Sequence, residues 1–158
     1  MTQPKRKSSK GPSNARSAAR MAAVQALYQM DVAHTDLNAV IDEFLKHRFR
    51  ENDRDGLIGA NPHLFEEIVR GVFARQREID PLLDKHLAEG WHLKRIDSTV
   101  RAILRAGAFE LIAHSETPAA VILDEYIDVA HAFFEGEEPK FVNGVLHKVG
   151  EHARAPKP

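Results

Sequence analysis

Lys140 and Phe141 head the stretch Lys140-Phe141-Val142-Asn143-Gly144-Val145-Leu146-His147-Lys148, where a cation and an aromatic ring open an amphipathic segment. This is the pairing that holds single-stranded nucleic acid, with a base stacked on the ring and a phosphate near the ammonium. At helical spacing Val142, Val145, Leu146 and Val149 form one apolar stripe and leave Phe141 at its edge, although a core position for Phe141 also fits the pattern. Gly144 lies inside the same predicted helix, where glycine costs about 0.5–1 kcal/mol relative to alanine. It is therefore expected to permit a close approach, by another backbone or by a ligand.

The opposite end of the chain carries the matching charge. Of the 22 Lys and Arg, six (Lys5, Arg6, Lys7, Lys10, Arg16 and Arg20) precede the first acid, Asp31, which leaves 16 against all 23 Asp and Glu in the remainder. The net charge of −1 thus conceals a basic arm on a mildly acidic body, an arrangement suited to a polyanion at one face and protein partners at others. Residues 1–12 are rich in Lys, Ser, Pro and Gly and read as a flexible arm. Arg16 and Arg20 are four apart on a predicted helix, so they are expected to share one positive face.

Composition excludes several chemistries. With no cysteine there can be no disulfide, thiolate metal site or cysteine nucleophile. No Gly-rich phosphate loop or serine elbow is visible. Nine histidines invite a metal reading, and Glu89-Gly90-Trp91-His92 matches a Glu-x-x-His spacing, but a di-iron bundle needs two such motifs and further inward glutamates. Glu110 and His114 are one turn apart, for which a surface or capping role is expected. Neither a catalytic residue, a metal nor a cofactor is expected. The N-terminus lacks a signal-peptide pattern and no run approaches a membrane span, which reads as a cytoplasmic protein.

The elements that must position these residues are helices throughout. The first is expected from about Ser13 to Ala33 with Ala19, Ala23, Ala26, Leu27 and Met30 as its stripe, and a second is expected from an Asp36 N-cap through Leu45. A polar loop from Arg48 to Ala60 leads to a helix started by Asn61-Pro62, which either continues or kinks at Asp80-Pro81. After a bend at Gly90-Trp91 come a central helix around Ile103, Gly107 and Leu111, another after Thr117-Pro118, and the last from Pro139. The expected fold is all-α, two small antiparallel helical bundles packed together. Its divisions are a flexible basic arm at 1–12, an N-terminal bundle at 13–89, a C-terminal bundle at 90–150 and a frayed tail at 151–158.

Three separated segments resemble the bacterial transcription antitermination protein NusB family. Arg20-Met21-Ala22-Ala23-Val24-Gln25-Ala26-Leu27-Tyr28 is similar to the family's first helix, Arg101 to Leu111 to its central helix, and Lys140 to Leu146 to its last. They occur in the family's order, over about Ala15 to Val149, and Phe-Val-Asn-Gly-Val-Leu is the most specific string. The resemblance implies a non-catalytic factor that pairs with NusE, a small-subunit ribosomal protein, and binds single-stranded boxA RNA within an antitermination complex with RNA polymerase, especially on ribosomal-RNA transcripts.

By the same resemblance the RNA would meet Arg16, Arg20, Tyr28, Lys140 and Phe141. The arginines would hold phosphates and the two rings would face unstacked bases, with a core position as the competing reading for Tyr28. Ser17 and Ala18 interrupt the arginine cluster common in relatives, so phosphate contacts could pass outward to Lys5, Arg6, Lys7 and Lys10. Two other readings stay open: a NusB-like recognition fragment of a ribosomal-RNA cytosine methyltransferase, and a protein–protein adaptor without RNA binding.

Overall fold

The computed structural model describes residues 14–50 and 57–156, and among these every regular element is helical. Asn14 caps α1 (Ala15–Ala33), its side chain accepting from the Ser17 amide at 2.8 Å. Asp36 likewise caps α2 (Leu37–Glu43), which runs on as a wider π turn over Phe44–Arg48. Asn61 and Pro62 start α3 (Pro62–Lys85), with the Asn61 side chain accepting from Leu64 N at 3.0 Å. A 3₁₀ turn at Leu93–Arg95 precedes α4 (Ser98–Ala113), and α5 (Ala119–Phe133) and α6 (Glu138–Ala153) follow.

Helix α4 is the centre of the molecule and packs on α1, α3, α5 and α6. Its contacts fix directions: Arg20 meets Glu110 and Asp31 meets Arg101, so α1 runs antiparallel to α4. Leu146 lies against Gly107, and Arg154 reaches Leu111 O, so α6 runs parallel to it. The six helices therefore form the all-α, two-bundle architecture, with α4, α5 and α6 going up, down and up.

Ala18 through Val24 are all buried, so α1 is enclosed around its whole circumference for two turns. That is why alanine dominates there: small side chains let neighbouring helices approach a central helix from several sides. The nominally polar segment after α2 is also tied down, because Phe49 is buried on Phe44 and Phe65, and Leu57 is buried too. A loop was expected to begin at Arg48.

Of three local expectations, one left open is decided, since α3 continues through Pro81, and two are corrected. In α3 the helical dihedrals fail at Arg75 (φ −111°, ψ 16°) and the helix passes through Pro81 to Lys85. Proline removes the bond to residue i−4 and crowds that carbonyl, which is Arg77 here, yet the turn at Pro81 keeps helical dihedrals. Fraying was expected after Glu151, yet α6 continues to Ala153 and Arg154 is anchored, its Nε donating to Leu111 O at 2.8 Å and Nη2 to His114 O at 3.1 Å.

The other correction concerns glycine. Gly144 was expected to allow close packing, but a Cβ built on it would meet nothing among the described residues within 4 Å, because this turn of α6 faces outward. The close approaches occur at Gly107, where a Cβ would lie 2.6 Å from Leu146 Cδ1, and at Gly71, where it would overlap the Phe109 ring. Gly71→Ala should thus destabilise the protein by about 1–3 kcal/mol through overpacking. Gly144→Ala should stabilise it by about 0.5–1 kcal/mol. Urea unfolding of the two variants beside the parent protein checks both signs.

Candidate nucleic-acid interface

The sequence-derived candidates divide between the two ends of α4. Arg16 is exposed in the first turn of α1, without an ion-pair partner among the described residues. The start of α3 lies beside it, Asn61 N donating to Ala15 O at 3.0 Å. Two helix N-termini there add positive potential to the guanidinium, an unfavourable local placement for a cation that suits an approaching anion. Lys140 is exposed in the first turn of α6, its Nζ 3.5 Å from Glu137, a pair of fully solvated groups that holds the ammonium weakly. Phe141 is half-buried against the core.

Tyr28 is 40% exposed in the last third of α1, which excludes the core reading. From the pairings of Arg20 with Glu110 and of Leu146 with Gly107, Tyr28 and Phe141 lie at similar levels along α4, on two different helices flanking it. Arg16 lies toward the other end, about 18 Å away along the axis at 1.5 Å per residue. The five candidates do not form one cluster; Lys5, Arg6, Lys7 and Lys10 lie outside the described residues.

Arg20 departs from expectation altogether. It is 3% exposed, and its Nε and Nη2 donate to the two carboxylate oxygens of Glu110 at 2.7 and 3.0 Å. Arg16 escapes the enclosing helices because it lies at their end, whereas one turn later Arg20 is surrounded. Glu110 and His114 are buried rather than on the surface, while the capping alternative holds in that His114 is the C-cap of α4. Glu110 also accepts from Tyr126 OH at 2.6 Å and is 2.9 Å from His114 Nδ1, while His114 Nε2 lies 3.3 Å from Glu67 without a well-aligned hydrogen bond.

Electrostatics in this network follow from its contacts. Burial opposes the charge on Glu110, but hydrogen bonds from His114, Arg20 and Tyr126 and the charge of Arg20 outweigh it and hold the carboxyl down to about 2. The hydrogen bond to Glu110 raises His114 above its ordinary value, against the opposing effect of burial. Burial and the adjacent carboxylate push the Tyr126 hydroxyl well up, so it stays a donor. Apart from His114 Nε2, the polar atoms of these side chains find partners within the network, and no group of three or more His, Asp or Glu among the described residues could hold a metal ion.

By local pattern Gly90-Trp91 reads as a bend. Trp91 is 56% exposed, and its ring centroid lies 5.8 Å from that of Phe141 at an interplanar angle of 37°. Its signal was available: a lone tryptophan beside a glycine, followed closely by Lys94 and Arg95.

The chain is an all-α body locked by a buried Arg–Glu pair, with Arg16, Lys140 and the rings of Tyr28 and Trp91 exposed on it. Comparison with known proteins is specific: the family model described as "NusB family" matches residues 17–151. The chain is 51% identical over 144 residues to the transcription antitermination protein NusB of Agrobacterium fabrum, covering 90% of this chain and 87% of that one. It is 49% identical to the corresponding protein of Maricaulis maris over 140 residues, covering 88% of each. Among solved structures, T. maritima NusB has a TM-score of 0.71 at 26% identity, covering 100% of this chain and 96% of that one. A complex described as antitermination factors NusB and NusE with dsRNA contains a chain with TM-score 0.72 at 23% identity, covering 86% of this chain and 96% of that one. The chain belongs to the NusB family, whose members are non-catalytic transcription antitermination factors.

Two outcomes follow from the network. Arg20→Ala should cost about 3–5 kcal/mol by leaving the Glu110 charge buried and unpaired. Arg16→Ala should leave the melting temperature nearly unchanged and, where Arg16 meets a phosphate, lower the log–log salt slope of RNA binding by about 0.7. Thermal melting and salt-dependent titration of both variants separate the two arginines.

A pH series tests His114. Because its folded value is raised, its contribution to stability is fully present below its ordinary value of 6.5 and is lost as pH rises through the folded value. Glu110 acts in the opposite sense, its contribution being present above 4.5 and lost as pH falls toward 2. Urea midpoints should therefore decline above about pH 6.5 in the parent protein and flatten in His114→Gln.

Proposed function

We propose that this protein is an RNA-binding antitermination factor that joins NusE on boxA RNA in nascent transcripts, especially those of ribosomal RNA, within an antitermination complex with RNA polymerase. The observation that carries the reading is membership of the antitermination family across residues 17–151. The relative crystallised with NusE and double-stranded RNA supports the choice of partners. Surface chemistry agrees with it: Arg16 supplies a phosphate contact, Tyr28 and Phe141 supply rings for unstacked bases, and Lys140 adds charge beside Phe141.

In this reading Arg20 is a positioning residue that fixes α1 on α4, and the basic arm at Lys5, Arg6, Lys7 and Lys10 extends the phosphate contacts begun by Arg16. Among the described residues no helix is long and apolar enough to cross a membrane. A factor acting on nascent bacterial transcripts works in the cytoplasm, where the polymerase is.

The test is a titration of fluorescein-labelled boxA RNA, a scrambled strand and a duplex of the same sequence, each with and without NusE. Single-stranded boxA should bind best, and NusE should tighten it by roughly 5- to 150-fold, the usual range of coupling between two sites. RNA should tighten NusE binding by the same factor. Equal binding of the boxA and scrambled strands, with or without NusE, would sink the proposal.

A further inference from the structure

Three observations converge on the outer face at the start of α6. Trp91 is 56% exposed although it is the largest apolar side chain available for burial. It is not a loose ring: the turn that presents it is anchored at Leu93 and Ile96, both buried. Asp84 Oδ1 accepts from Leu93 N at 2.7 Å, and Arg101 Nη1 donates to the carbonyls of Leu93, Lys94 and Ile96 at 3.1, 3.2 and 2.8 Å. Arg101 is itself fixed by Asp31 at 2.8 Å. The fold therefore holds an exposed indole in place beside Phe141, with 5.8 Å between ring centroids.

Gly144 is the second observation. It lies one turn from Lys140 and Phe141 on α6, and among the described residues nothing comes within 4 Å of where its Cβ would be. Internal packing therefore gives no reason for glycine at a position where alanine would strengthen the helix. Bare backbone here matters only to something outside the chain that comes closer than a methyl group allows. Charge is the third observation: Lys94 and Arg95 are exposed on the Trp91 turn without an ion-pair partner among the described residues, and Lys140 is held only by solvated Glu137.

We propose that Trp91 and Phe141 together form a two-ring stacking platform for unstacked bases of single-stranded RNA, and that Gly144 is the notch over which the sugar–phosphate backbone passes. Lys94, Arg95 and Lys140 receive the phosphates on either side. A ring pair tilted by 37° is open rather than closed face to face, so the outer face of the indole is available to a base. Of the acids near this face, Glu89, Glu137 and Glu138, the one paired with Lys140 is Glu137, and it is displaced at little cost because both groups are solvated. This inference rests on the RNA-binding reading and adds to it Trp91 as a second ring beside Phe141, Gly144 as the backbone notch, and Lys94 and Arg95.

Trp91 is the sole tryptophan, so its emission reports the platform directly. Intrinsic fluorescence and the anisotropy of fluorescein-labelled boxA RNA are followed in one titration of the full chain, with NusE added separately beforehand. Single-stranded boxA should quench Trp91 emission in step with binding, and the matching duplex should quench it less. Trp91→Ala should weaken binding by about 5- to 150-fold with little change in melting temperature, and Trp91→Phe should recover most of the loss. Gly144→Ala should melt no lower than the parent protein yet bind boxA more weakly, an outcome that a purely structural role cannot give.

Binding that proceeds without quenching and survives Trp91→Ala would overturn the platform while leaving the proposed function standing. Quenching by NusE alone, with no further change on adding RNA, would overturn it in favour of a protein contact. Absence of any RNA binding by the parent protein with NusE present would remove both readings together.

Discussion

The buried ion pair between Arg20 and Glu110 is the interaction on which the arrangement of helices depends. Removing a guanidinium and a carboxylate from water is expensive, and their mutual attraction compensates only when the remaining hydrogen-bonding capacity is also filled. Here it is filled. Glu110 receives two bonds from Arg20, one from Tyr126 and one involving His114, which accounts for both oxygens. Those partners come from α1, α4 and α5, and His114 carries the network to Glu67 on α3. Apolar packing alone would allow α1 to slide or rotate in its groove, whereas this geometry is satisfied in one register. A second link, from Arg101 and Arg105 on α4 to Asp31 and Asp80, fixes the other end.

That constraint also decides where recognition can occur. Because α1 is enclosed from Ala18 to Val24, its middle offers nothing to a ligand, and only its ends remain on the surface. Arg16 stands at one end and Tyr28 toward the other. Helix α6 behaves differently: its inner stripe of Val142, Val145, Leu146 and Val149 packs inward, while Lys140 and Gly144 remain open. The same Arg101 that secures α1 through Asp31 also gathers the carbonyls of the turn next to Trp91. Stability of the core and placement of the surface rings are therefore coupled through one side chain.

Family membership agrees with this division between locked interior and recognition surface. The identity to curated relatives, near one half across most of the chain, is high enough to carry the family, while the solved structures near one quarter identity speak to the fold. A factor of this kind performs no bond chemistry, so its side chains need only be presented rigidly to a partner. Rigid presentation is what a satisfied buried polar network supplies.

By itself the sequence determined the helices and most of their starts, because the signals are local. Asn14, Asp36, Asn61 and Asp97 satisfy amide groups within three residues of themselves, and apolar spacing marks the inward stripe of each helix. It also determined the charge polarity and the Lys140-Phe141 pair. Only the tertiary structure decided which members of a local pattern reach water. Arg16 and Arg20 are equivalent by spacing, yet one is solvated and the other is enclosed, since that depends on where neighbouring helices end. Gly107 and Gly144 both interrupt apolar helices, yet only Gly107 faces a packed side chain. Trp91 stayed invisible for the same reason: its importance comes from Phe141, fifty residues away, and proximity across that distance is set by how α6 lies along α4.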